Sequence, residues 1–71
     1  MKKLIIYVPE ILHDVGIDFN ELHYGARISL NTAKRWASEE GVASIDRIEI
    51  ATLEKIANFL QLDVEDMIGF E

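Results

Sequence analysis

The chain has 71 residues, of which 49 % are hydrophobic and 28 % are charged, so its composition is that of one globular domain and excludes a disordered chain. The absence of cysteine excludes disulfides, thiol nucleophiles and cysteine-bound metal clusters. The net charge of −6, taken alone, argues against nucleic-acid binding, because phosphate repels an acidic protein.

The first predicted element is a short strand within residues 1–8. Residues 3–8, KLIIYV, are mostly β-branched or aromatic and are followed by proline, which is typical of a strand that ends there. We expect this segment to cover its exposed edge with residues 67–70 or with a second copy of the chain. The apolar run at 4–9 is far shorter than the roughly 20 residues of a membrane span, so we expect a soluble, cytoplasmic domain over residues 1–71.

Two short helices are predicted next. The first covers residues 9–15, because proline favours the first turn of a helix and Gly16 stops it. Asp18 is a favourable N-cap for the second helix, and Glu21, three residues later, completes a capping box. We expect the second helix to end at about Tyr24.

Three more helices complete an all-α prediction of five. Ser29 caps a third helix that we expect to run over residues 30–39. A polar connection at 41–47 leads to a fourth helix at 49–60, whose apolar residues recur at steps of three and four. A last short helix is expected at 64–68.

The basic residues concentrate around the third helix although the chain is acidic. Residues 22–38 contain no acidic side chain but include Arg27, Lys34 and Arg35. A helix with exposed basic and amide side chains suits the major groove of DNA, where asparagine pairs with adenine and arginine or lysine pairs with guanine. The charge pattern therefore predicts one positive face on an acidic molecule.

Two segments carry a resemblance to a known family. Residues 18–36, DFNELHYGARISLNTAKRW, resemble the helix-turn-helix of Cro/repressor-like (XRE-type) DNA-binding domains. Residues 47–71, RIEIATLEKIANFLQLDVEDMIGFE, resemble the small single-domain bacterial branch of that family. The resemblance implies a five-helix, lambda-repressor-like fold and a sequence-specific transcriptional regulator. It further implies double-stranded DNA as partner, a homodimer, and a helix at 30–38 that enters the major groove, with residues 18–39 as the helix-turn-helix.

The resemblance also assigns individual residues. The core positions of the motif fall on Leu22, Ile28, Ala33 and Trp36. The positions that face bases or phosphates fall on Ser29, Leu30, Asn31, Lys34, Arg35 and Ser38. Asn20 and Arg27 are added as candidates for phosphate contact.

The second helix departs from the family at two positions. Phe19 stands where a phosphate-binding glutamine is common, so that contact passes to Asn20 or is absent. His23 stands where a small residue is usual, and its expected packing partner Ala33 is small where a large aliphatic is usual. We interpret this pair as a size exchange that roughly conserves volume.

The turn between the second and third helices departs as well. Arg27 replaces the turn glycine, which costs about 1 kcal/mol if the left-handed backbone is retained. Alternatively, Gly25 supplies that conformation two residues earlier.

Other chemistry is poorly supported by the sequence. His13 with Asp14, and His23 with Glu21, lack the spacing of metal ligands, and Ser29 has no partner at a spacing typical of a nucleophile. We therefore expect no metal, no small-molecule cofactor and no enzymatic activity. The alternative to DNA binding is a protein-interaction module with the same fold, antitoxin-like or a co-regulator adaptor, which the charge of −6, Phe19 and His23 favour.

Overall fold

The computed structural model describes residues 3–45 and 47–71. The parts of the predicted N-terminal segment and polar connection that fall on Met1, Lys2 and Asp46 lie outside the described residues. The elements in chain order are β1 (Leu4–Ile6), α1 (Val8–Val15), α2 (Phe19–Ala26), α3 (Leu30–Trp36), α4 (Glu39–Ala43), α5 (Ile50–Leu60), a 3₁₀ helix (Val64–Asp66) and β2 (Ile68–Phe70).

The N-terminal strand is covered by the C-terminal segment of the same chain. β1 pairs antiparallel with β2, with Ile5 opposite Gly69. Lys3 and Glu71 exchange two backbone hydrogen bonds, of 2.6 and 2.9 Å, beyond the strands. The first of the two expected pairings is therefore found, although the strand is shorter than predicted because Val8 already belongs to α1.

The first two helices confirm the capping predictions. Gly16 ends α1 with φ of 73°, the left-handed conformation that glycine adopts readily. The Asp18 carboxylate accepts from the backbone N–H of Glu21 at 2.9 Å, and the Glu21 side chain accepts from the N–H of Asp18, which completes the capping box.

The helix α2 extends through Gly25 to Ala26, so the expectation that it ends at about Tyr24 is wrong. The left-handed residue is Arg27, with φ of 59° and ψ of 47°, and its N–H donates to the carbonyl of His23. The alternative in which Gly25 supplies the turn is thereby excluded. Gly25 is instead required for packing, since a Cβ there would overlap the ring of Phe59 on α5.

The left-handed backbone of Arg27 leads to a prediction about the stability of the protein. Replacing Arg27 with glycine should raise the free energy of unfolding by about 0.5–1 kcal/mol, because the left-handed backbone costs an L-residue about 1–2 kcal/mol and glycine loses part of that gain in the unfolded chain. Gln61, with φ of 58°, is the matched control outside the turn. Urea denaturation of both glycine variants measures the change, and a loss of stability in both would contradict it.

The predicted third helix at 30–39 is divided in two. α3 ends at Trp36, and the Ser38 hydroxyl accepts from the N–H of Gly41 at 2.9 Å as the N-cap of α4. Two glutamates in the first turn of α4 favour a new helix N-terminus there. The expected helix at 64–68 is also shorter, a 3₁₀ turn, because the residues after it pair with β1.

The core forms where α2, α3 and α5 meet. The predicted core positions Leu22, Ile28, Ala33 and Trp36 are all buried. They pack with further buried residues of α1, α5 and the C-terminal segment: Val8, Leu12, Leu53, Ile56, Ala57 and Met67. This core fixes the position of α3 and leaves its polar side outside.

One half-buried polar side chain joins α2 to the turn. The Nδ1–H of His23 donates to the carbonyl of Ile28, which lies in the turn two residues before α3 begins. Ala33 is fully buried, which fits its place as the small member of the proposed size exchange. The exchange of volume between His23 and Ala33 itself stays a prediction.

Among the described residues, no helix has the length and apolar character needed to cross a membrane.

Candidate nucleic-acid interface

The turn between α2 and α3 is set by local hydrogen bonds. Ser29 is the N-cap of α3, and its hydroxyl accepts from the N–H of Thr32 at 3.2 Å. The same hydroxyl donates to Oγ1 of Thr32 at 2.7 Å. Arg27 thus ends α2 and Ser29 begins α3 within three residues, the short connection of a helix-turn-helix, while the core fixes how the two helices pack.

The helix α3 is divided between a buried and an exposed side. Ala33 and Trp36 point into the core, while Asn31, Lys34 and Arg35 are exposed. Leu30, at the first turn, is 39 % exposed. The full set of predicted DNA-facing residues is exposed, namely Asn20, Arg27, Ser29, Leu30, Asn31, Lys34, Arg35 and Ser38.

Lys34 lies on the side of α3 that faces α2. Its Nζ is 5.5 Å from the centre of the Phe19 ring, within the range of a cation–π interaction. Phe19 is half-buried at the first position of α2 and packs against the core. The basic side chain is thus associated with the start of the neighbouring helix.

The other side of α3 borders a polar cleft of about 270 Å³. Asn31 and Arg35 line it from α3, and Arg47 and Glu49 line it from the segment before α5. Two guanidinium groups therefore border one cleft beside the helix, and among residues 3–45 and 47–71 its lining includes a single glutamate. We call the surface formed by the exposed side of α3 and this cleft the α3 face.

Arg47 was not among the predicted site residues. In the sequence it belongs to the polar connection, next to residues with no helical pattern, and only its basic charge distinguishes it. Its place beside Arg35 follows from the packing of α5 against the helix-turn-helix, which the sequence pattern does not specify.

The predicted site residues are not all brought together. Ser38 lies beyond the end of α3, at the N-cap of α4, so the helix predicted at 30–38 is wrong after residue 36. Asn20, beside Phe19 on α2, and Arg27, in the turn, lie outside the polar cleft.

Acidic side chains gather elsewhere. A second cleft, of about 520 Å³, is lined by Glu10 and Asp14 of α1 and by Glu39 of α4. His13 also borders it. Among residues 3–45 and 47–71, no group of three or more histidine and carboxylate side chains is arranged to hold a metal ion. Among the described lining residues, the first cleft has two arginines and one glutamate, whereas the second has three carboxylates.

Comparison with known proteins agrees with the geometry of α2 and α3. The family model of the Cro/C1-type HTH DNA-binding domain matches residues 8–71. No curated protein and no solved structure matches the chain.

Proposed function

The chain belongs to the family of Cro/C1-type helix-turn-helix DNA-binding domains, and we propose that it is a sequence-specific transcriptional regulator that inserts α3 into the major groove. The family is not normally enzymatic. We further propose that residues 1–71 act as one domain in the cytoplasm, as a homodimer on a two-fold operator, which is how helix-turn-helix dimers read DNA.

One observation carries this proposal: α3 exposes an amide and two cations while its apolar side is buried. An α-helix with its side chains is about 10–12 Å in diameter, and the major groove is about 12 Å wide, so α3 fits between the phosphate backbones. Lys34 lies on the α2 side of α3, near Phe19, and Arg35 borders the polar cleft on the opposite side. Cations therefore face both walls of such a groove.

The proposed contacts follow from the chemistry of each side chain. Asn31 is suited to a bidentate contact with adenine, and Leu30 to the methyl group of thymine. Arg35 is suited to guanine or phosphate, and Lys34 to phosphate. The remaining polar candidates are suited to contacts with the phosphates of the DNA backbone: Asn20, Arg27, Ser29, Ser38 and Arg47.

Selection from a random duplex pool at low salt tests the proposal. A regulator of this kind should enrich a motif with two-fold symmetry, and its affinity for that motif should fall with salt with a log–log slope of about −3 to −4 per protomer. Sedimentation of the complex with the selected duplex gives the number of protomers. Recovery of no enriched motif would contradict sequence-specific binding.

Arg47 offers a separate test of the α3 face. Replacing Arg47 with alanine should weaken binding to the selected duplex about tenfold and reduce the salt slope by about one, because one charge-assisted contact is lost. Lys55, exposed on α5 and absent from the cleft lining, is the matched control for loss of one positive charge. Equal effects of Arg47→Ala and Lys55→Ala would show that only net charge matters.

The acidic cleft favours a second candidate function, a protein-interaction module with this fold. Glu10, Asp14 and Glu39 would attract a basic segment of a partner protein. Such a module, antitoxin-like or a co-regulator adaptor, would give no enriched duplex in the selection. The same experiment therefore separates the two functions.

A further inference from the structure

The interaction between Phe19 and Lys34 is not explained by the fold. The ammonium group of Lys34 is exposed to solvent and has no structural need for an aromatic ring 5.5 Å away. Phe19 is already anchored, since it packs against the core and follows the N-cap Asp18. A flexible cation is thus held by a fixed ring at the junction of α2 and α3.

We propose that Phe19 is a positioning residue for DNA binding, which holds the ammonium group of Lys34 over its ring so that Lys34 contacts one backbone phosphate on the α2 side of α3. This inference rests on the proposed function, because it concerns the same surface. In this inference Lys34 contacts a phosphate of the DNA backbone, and the residues on the opposite side of α3 contact the bases.

The chemistry of lysine permits both contacts at once. An ammonium group has three N–H donors, and a ring face occupies only one side of it, so the remaining donors stay available to a phosphate oxygen. A lysine side chain loses much rotamer freedom when it is fixed in a complex. Partial ordering over Phe19 before binding reduces that loss.

The place of the ring also determines what Lys34 can reach. Phe19 begins α2, whereas Asn31 and Arg35 line the cleft on the other side of α3. An ammonium group held toward α2 is drawn away from the bases that Asn31 would contact. Because phosphate contacts carry no direct sequence information, the effect of Phe19 should be the same on every operator variant.

Nuclear magnetic resonance of the free protein tests the geometry without DNA. The ring of Phe19 should shift the side-chain methylene protons of Lys34 upfield, in the wild type and in Phe19→Tyr. The shift should be lost in Phe19→Leu, which keeps an apolar side chain but removes the ring. Methylene protons of Lys34 at the same position in all three proteins would overturn the proposal.

A double-mutant cycle on the selected duplex tests the role. Phe19→Leu should weaken binding about two- to fivefold, the range of an exposed cation–π interaction, and Phe19→Tyr should retain the wild-type affinity. In the Lys34→Met background, Phe19→Leu should cause no further loss. Equal losses in both backgrounds would assign Phe19 a purely structural role.

Two readouts keep the possible failures distinct. If the wild type binds no duplex, the proposed function fails and this inference fails with it. If the wild type binds but the cycle shows no coupling, only the positioning role fails. Circular dichroism verifies the folding of each variant, and Phe19→Met replaces Phe19→Leu in both experiments if the leucine variant does not fold.

Discussion

Replacing both Lys34 and Arg35 with alanine is expected to abolish operator binding and to leave the helical circular-dichroism spectrum unchanged. Both side chains are exposed on α3, so the core is untouched. Two charge-assisted contacts are together worth about 3 kcal/mol or more, which is a loss of affinity of at least about 100-fold. Fluorescence anisotropy with the selected duplex measures the loss.

The control for this variant removes two positive charges elsewhere. Lys3 and Lys55 are both exposed, and Lys3→Ala with Lys55→Ala changes the net charge by the same amount. We expect this control to retain most of the affinity, because long-range charge effects are screened at physiological salt. If the Lys34 and Arg35 variant folds and binds as tightly as the control, α3 is not the reading helix.

Replacing Gly25 with alanine is expected to lower the free energy of unfolding by about 1–3 kcal/mol, the usual cost of overpacking. A loss of stability would be informative, because replacing glycine with alanine inside an exposed helix normally raises the free energy of unfolding by about 0.5–1 kcal/mol. Here a Cβ would overlap the Phe59 ring and push α2 away from α5. Urea denaturation measures the change.

A second substitution tests the cause of that loss. Phe59→Leu shortens the side chain that faces Gly25, so the variant that combines Gly25→Ala with Phe59→Leu should lose less stability than the sum of the two single changes. Additive losses would show that contact with the ring is not the reason. A more stable Gly25→Ala would contradict the close approach of α2 and α5.

Local signals in the sequence are sufficient for the first helix and for the start of the second. The capping box of Asp18 and Glu21 and the stop at Gly16 depend on neighbours within three or four residues, and both are confirmed. Ser38 has the same local chemistry, but the polar pattern of α3 continues across it and predicts one helix to residue 39. A serine followed by two glutamates starts a new helix there.

Features that depend on distant parts of the chain could not be decided from the sequence. A strand edge requires a partner but does not identify one, so pairing within the chain and pairing with a second copy remained equal expectations. Arg47 reaches the cleft only because α5 packs against the helix-turn-helix. Phe19 and Lys34 lie on different helices, and their proximity is a property of the packing.

The pairing of β1 with β2 brings the beginning and the end of the described chain side by side. Lys3 and Glu71 exchange backbone hydrogen bonds, which sets their Cα atoms about 5.5 Å apart. A connection as short as that of a β-hairpin would therefore join them into a closed ring. New ends opened in the segment between α4 and α5 would give a circular permutant with every helix intact.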